Sequence, residues 1–311
     1  SPREVADLIE QVREQDVPVV FGSEVFPSPV LEQISAESEA EYVDDLRDPL
    51  LDGAAHVTYV RSTVAHGTIL SIDTSAALEM PGVLAVYTAA DLALEPVPSP
   101  FNPAVTRGLL AIDKVRFVGE PVALVITERA DQGEDAAEQV IVDYEMLPTL
   151  VDLEESMTSS TLLYEAAGSN VVFDTSFLGM PPVTDDEFFA GCEVTVKARL
   201  VNQRVAACPL EVRGAAAAWA ADGRLHQWLS TQGAQAARGG IATANGVDPA
   251  QVKVITPDVG GGFGAKISCY PEEQLLGVAA KKVGRPLRWR ETRSENMMAM
   301  GHGRGQVQYL T

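Results

Sequence analysis

The chain has 311 residues, is 46% hydrophobic, and sets 23 Lys and Arg against 44 Asp and Glu for a formal net charge of −21. That balance argues against a nucleic-acid partner, since phosphate binding needs clustered cations. No apolar run nears the roughly 18 residues that cross a bilayer, so a soluble, cytoplasmic protein of about two domains is the expectation.

In chain order, residues 2–14 place Val5, Leu8, Ile9 and Val12 on one face of an amphipathic helix. Residues 17–21 read as a short strand, and the Ser/Glu-rich stretch 34–43 reads as a linker. Residues 55–60 and 67–72 are strand candidates. Asp73-Thr74-Ser75 offers caps for a short helix over 76–78, and Met80-Pro81-Gly82 is a turn before a strand at 83–87. Thr88 is positioned to cap a helix up to Leu92. Residues 114–118 and 121–127 predict strands around a Gly119-Glu120 turn, followed by helix and strand character over 136–144. Residues 155–190 are rich in Ser, Thr, Gly, Pro and acid and read as a surface connection.

Beyond Val194 the pattern sharpens. Residues 215–219 and 224–229 flank Ala221-Asp222-Gly223, a hairpin signal. A helix over 234–245 shares Ala237, Ile241 and Ala244 on one face and stops at Asn245-Gly246. A strand at 252–256 leads into a glycine loop. A helix over 271–283 follows, with Pro271 at its start and Gly284 past its end, and residues 287–290 form one more strand.

Three cysteines (Cys192, Cys208, Cys269) stand far apart with no C-x-x-C, which excludes a local iron–sulfur or zinc signature. Four scattered histidines (His56, His66, His226, His302) form no H-E-x-x-H. The most informative stretch is the loop Gly260-Gly261-Gly262-Phe263-Gly264-Ala265-Lys266. Ala265-Lys266-Ile267 fails the P-loop requirement, and the dinucleotide fingerprint fails on spacing. A tight structural turn and an anion-binding nest both remain open. The order of features favours the nest: Ser230-Thr231-Gln232 opens one helix, and about thirty residues later the glycine loop approaches the next.

This arrangement resembles the xanthine dehydrogenase / aldehyde oxidase / carbon monoxide dehydrogenase family of molybdenum hydroxylases. Tyr42-Val43-Asp44-Asp45-Leu46, Arg61-Ser62-Thr63-Val64-Ala65-His66, Pro81-Gly82-Val83 and Val118-Gly119-Glu120-Pro121 resemble its small α/β hammerhead domain. Asn202-Gln203-Arg204, Pro209-Leu210-Glu211-Val212-Arg213-Gly214, Ser230-Thr231-Gln232 and residues 260–266 resemble the start of its molybdopterin-binding part. The resemblance implies an α+β (mixed α/β) fold: an atypical extension and linker over 1–40, a hammerhead domain over 41–154, a connection over 155–193, and the incomplete first part of a molybdopterin-binding domain over 194–311.

It also implies roles. Gln232 matches the glutamine whose side-chain amide bonds an oxygen ligand on molybdenum, against the plain reading of a polar helix cap. Gly262, Phe263 and Gly264 match the loop lying against those ligands. The metal itself is held by the pterin dithiolene, without protein ligands, and the cofactor is expected in its cytosine dinucleotide form. The catalytic glutamate lies in a region outside residues 1–311, so this chain alone is expected to be inactive, and Glu211, Glu272 and Glu291 are not assigned as the base. Expected partners are the C-terminal half of the molybdenum subunit, an FAD-binding subunit and a 2Fe-2S subunit. Ile267 stands where purine-oxidising members carry glutamate. That disfavours a purine and leaves aldehydes, N-heterocyclic carboxylates and carbon monoxide open. A non-catalytic assembly or scaffold protein that kept the hammerhead domain is the alternative.

Overall fold

The computed structural model describes residues 2–15, 19–21, 33–34, 36–38, 41–43, 49–174, 179 and 183–311. Two compact units divide the chain, Ser1–Asp52 and Gly53–Thr311. In the first, the expected helix forms over Pro2–Glu14; Ile9 is buried and Val12 half-buried, while Leu8 is exposed. Val19–Phe21 and Glu41–Val43 pair in parallel. Residues 33–34 and 36–38 are helical, at the start of the stretch 34–43 read as a linker. Val17 and Pro18 of the expected strand lie outside the described residues.

The second unit is built on one mixed seven-stranded sheet. Its strands are β1 (Ala55–Arg61), β2 (Val83–Thr88), β3 (Pro121–Thr127), β4 (Gly214–Trp219), β5 (Leu225–Leu229), β6 (Val252–Ile255) and β7 (Leu287–Arg290). They lie in the order β6-β5-β4-β7-β1-β3-β2. Strands from residues 55–127 and from residues 214–290 thus share one sheet. The seam is the parallel pairing of β7 with β1, Leu287 opposite Ala55 and Trp289 opposite Val57. Tyr59 and Trp289 close it edge to face, with centroids 5.5 Å apart. Residues 67–73, 114–115 and 141–146 form a separate three-stranded sheet.

All seven residues of β3 are buried, as a strand covered on both faces requires. Leu124 and Ile126 join the larger core cluster, and Ala123 and Val125 join a second one. The helices α1 (Ala234–Asn245) and α2 (Pro271–Val283) lie in the larger cluster, where Ile241, Leu275 and Leu276 meet Ala215, Ala217, Leu225 and Leu287. The run of four alanines in β4 lets the helical layer approach closely. Gly277 completes that fit, since a Cβ there would stand 2.7 Å from Leu225, and Trp219 Nε1 donates to its carbonyl at 2.8 Å.

Two expected elements differ. After Thr88 the chain makes turns, because Ala93 takes φ 48° and Leu94 N bonds back to Ala89 O; Asp91 accepts from Thr88 instead of a helix growing. The strand expected over 114–118 stops at Val115, because the Glu120 carboxylate captures Arg116 N at 2.6 Å and bends the chain. A short helix α3 (Arg293–Ala299) was not anticipated. No helix among the described residues is long and apolar enough to cross a membrane.

Candidate functional site

β5 and β6 are parallel neighbours, so their C-terminal ends emerge side by side at one edge of the sheet, the usual place for a ligand in such sheets. β5 runs into Ser230-Thr231-Gln232, and β6 runs into the glycine loop. The two segments are laced together: Gln232 N and Thr231 Oγ1 donate to Lys266 O at 2.9 and 3.0 Å. The side-chain oxygen of Gln232 accepts from Gly264 N at 3.0 Å and Lys266 N at 3.2 Å.

Both of those groups can only donate, which fixes the amide's orientation. Its carbonyl caps the loop, and its Nε2 hydrogens have no partner among the described residues. Gln232 therefore is not a helix cap; the residue before α1 is Gly233, without a side-chain cap. Gly262 packs on this amide so closely that a Cβ would lie 2.3 Å from Oε1. Phe263 takes φ 53°, Gly264 takes φ 87°, and the Phe263 side chain is exposed. The structure thus brings Gln232, Gly262, Phe263 and Gly264 together. The N–H groups of Gly261, Gly262 and Phe263 have no acceptor among the described residues, three consecutive donors in a bend.

Behind the loop lies a bridge that motif reading did not reveal. The Lys266 ammonium, 1% exposed, donates to Glu211 Oε2, Glu211 O and Ser230 Oγ at 2.8, 2.9 and 2.8 Å. The same carboxylate accepts from Ser230 Oγ and Gly260 N, both at 2.7 Å. Partial burial opposes ionisation of Glu211, but Lys266, Ser230 and Gly260 outweigh it and hold its pKa below the ordinary value. Both residues sit inside recognised motifs. Their pairing, 55 positions apart, leaves no trace in local sequence.

Deeper still, Arg213 is fully buried between Glu291 (2.7 Å) and Glu272 (3.3 Å), and Glu272 also pairs with Arg61 at 2.7 Å. Burial alone would lower the Arg213 pKa and raise that of Glu272; their mutual attraction reverses both. Glu272 and Glu291 are the counter-ions of the buried arginines.

Glu273 differs. Burial pushes its pKa up to about 7, and the Tyr270 N–H, Arg213 and the Cys269 thiol only partly offset burial and the neighbouring Glu272. The folded value exceeds the unfolded one near 4.5, so the native state binds the extra proton between those limits. Stability from this group is complete below about pH 4.5 and is lost as pH rises through 7, by at most about 3 kcal/mol. Glu273→Gln is expected to flatten the fall in urea midpoint between pH 5 and pH 8; an unaltered slope would assign the proton elsewhere.

A cavity of about 800 Å³ is lined by His66, Arg116, Arg204, Met298 and Gly301 and reaches this region through Tyr270 and Glu272. It does not include the glycine loop, and the loop carries the stronger chemical signal because its donors are unpaired.

Residues 37–148 match the model for the aldehyde oxidase and xanthine dehydrogenase a/b hammerhead domain, and residues 163–311 match the molybdopterin cofactor-binding domain. The chain is 38% identical to the nicotine 6-hydroxylase large subunit of Paenarthrobacter nicotinovorans, over 86% of this chain and 34% of that protein. It is 34% identical to the carbon monoxide dehydrogenase large chain of Hydrogenophaga pseudoflava, over 86% of this chain and 35% of that one. Among solved structures, quinoline 2-oxidoreductase from Pseudomonas putida 86 superposes with a TM-score of 0.72 at 32% identity, covering 83% of this chain and 34% of that one. The chain spans about a third of the length of the curated relatives it matches.

Proposed function

The chain belongs to the aldehyde oxidase and xanthine dehydrogenase family of molybdopterin-binding hydroxylases, and from that premise we propose that it supplies the first part of a molybdopterin site in an enzyme hydroxylating an uncharged N-heteroaromatic ring. The observation that carries this reading is the run of N–H groups at Gly261, Gly262 and Phe263 without an acceptor among the described residues, beside the Nε2 group of Gln232. This donor set suits the oxygen-rich molybdenum end of the cofactor, and the Gly262 position, where any Cβ meets Gln232, keeps the backbone close to it.

Once bound, the molybdenum–molybdopterin group, read here in its cytosine dinucleotide form, supplies two-electron oxidation of a substrate carbon with water-derived oxygen. This chain's part is orientation. Gln232 Nε2 would donate to an oxygen of the bound group while its Oε1 fixes the loop, and the backbone N–H groups of residues 261–263 would hold its other acceptors. Phe263 and Ile267 are exposed beside these donors and bring no charge, which suits a neutral aromatic ring over a purine anion. Relatives named nicotine 6-hydroxylase and quinoline 2-oxidoreductase support the same class. The general base is placed outside residues 1–311, in the remainder of the molybdenum subunit, and electrons leave through 2Fe-2S and FAD subunits. Activity then belongs to the assembled complex.

Native mass spectrometry with elemental analysis tests this: molybdenum with 2Fe-2S and FAD partners is the expected result, and a metal-free complex would overturn it. Gln232→Ala in that complex is expected to lower turnover by about 10–100-fold, the usual cost of losing a group that orients a metal's ligands, without dissociating subunits. Undiminished turnover at full molybdenum loading would remove the role assigned to Gln232.

A further inference from the structure

We propose that Tyr270 is the positioning residue that fixes the donor loop from the side opposite Gln232, a role that rests on the molybdopterin reading above. Its hydroxyl donates to Ala265 O at 2.6 Å and accepts from Gly301 N at 2.9 Å. The assignment is unique, because a carbonyl can only accept and an N–H can only donate. Ala265 lies between Gly264 and Lys266, the two residues whose N–H groups are held by Gln232 Oε1. The loop backbone is therefore gripped on one side by an amide oxygen and on the other by a phenol.

The grip is needed because the loop holds itself weakly. Phe263 and Gly264 both take positive φ, and Ala265 N to Gly262 O at 2.9 Å is the backbone bond that closes its turn. Tyr270 itself rests on rigid ground. Its ring lies 4.2 Å over the Arg213 guanidinium, which is fully buried among carboxylates, and its own N–H donates to Glu273 Oε2 at 2.8 Å. On the far side the hydroxyl ties to Gly301, where a Cβ would stand 3.0 Å from it, so an added methyl pushes the hydroxyl by a few tenths of an ångström. Tyr270 thus transmits the position of the buried ion network to the three free donors and acts through the loop.

The test uses the holo-complex, with Tyr270→Phe, which keeps the ring over Arg213, and Gly301→Ala, which presses on the hydroxyl while leaving Tyr270 in place. The amide exchange of residues 261–266, the molybdenum EPR signal after dithionite, metal content and thermal midpoint are read together. Tyr270→Phe is expected to speed loop exchange about tenfold, as losing one hydrogen bond from a local opening equilibrium does, and to shift the EPR signal at unchanged molybdenum content. A merely structural role would instead speed exchange along α2, lower the midpoint and leave the EPR line shape unmoved. Gly301→Ala is expected to act in the same direction, less strongly, and carries the test if Tyr270→Phe does not fold. Unchanged loop exchange in both variants overturns the proposal. A wild-type complex without molybdenum would overturn the underlying reading, while the exchange data would still decide whether Tyr270 holds the loop.

Discussion

Glu272→Ala is expected to destabilise the second unit by about 3–5 kcal/mol, the range found when one partner of a buried ion pair is removed. Glu272 is 2% exposed and is the carboxylate shared by Arg61 and Arg213. Its loss leaves both guanidiniums in the interior with less than their full counter-charge, and Arg61 Nη2 already lacks a partner among the described residues. Glu291 retains Arg213 through its side chain and backbone N, and Glu295 retains Arg61 at 2.7 Å, which limits the damage to this range. A hole left beside Tyr59, whose hydroxyl donates to Glu272 O, adds to it. Glu295→Ala is the control: its side chain is 17% exposed, contacts Arg61 alone of the two arginines and accepts from Thr292 N, so a smaller loss of about 2 kcal/mol is expected. Urea unfolding of the two variants decides the point. Equal midpoints would mean that Glu272 does not neutralise both cations.

That network explains which parts of the fold were legible in the sequence. The hairpin of β4 and β5 was readable because its turn requires a left-handed residue, and Gly223 takes φ 82°. The ends of α1 and α2 were readable for the same reason, with Gly246 and Gly284 at φ 62° and 73°. α3 carries a sequence signal of its own: Thr292 and Glu295 form a capping box, the Thr side chain accepting from Glu295 N. What local pattern does not encode is pairing at a distance. The seam between β7 and β1, the Lys266–Glu211 bridge and the shared Glu272 join residues tens to hundreds of positions apart. The motif resemblance pointed to Gln232 and the glycines. The capture of the loop by Gln232 Oε1, which leaves Nε2 without a partner among the described residues, arises only in the folded chain.

That capture makes Gly262→Ala the most selective perturbation of the site. The new Cβ would lie 2.3, 2.5 and 2.8 Å from Oε1, Cδ and Cγ of Gln232, so the whole amide has to swing away. The residue is exposed and free to do so. The fold therefore loses only two hydrogen bonds at a solvent-accessible loop, those from Gly264 N and Lys266 N, and stability is expected to change by no more than about 1 kcal/mol. Catalysis has no such escape. The same swing removes the Nε2 donor, loosens the loop, and puts a methyl group where the backbone lies closest to its partner. Turnover of the complex is expected to fall about 100–1,000-fold, the scale of a lost preorganised donor combined with a displacement near 1 Å. Gln232→Ala removes the donor without filling the space and is expected to lose less. The ordering of the two variants therefore carries information beyond either alone. If Gly262→Ala retains more activity than Gln232→Ala at equal molybdenum loading, the methyl is tolerated, and the loop does not lie against the cofactor.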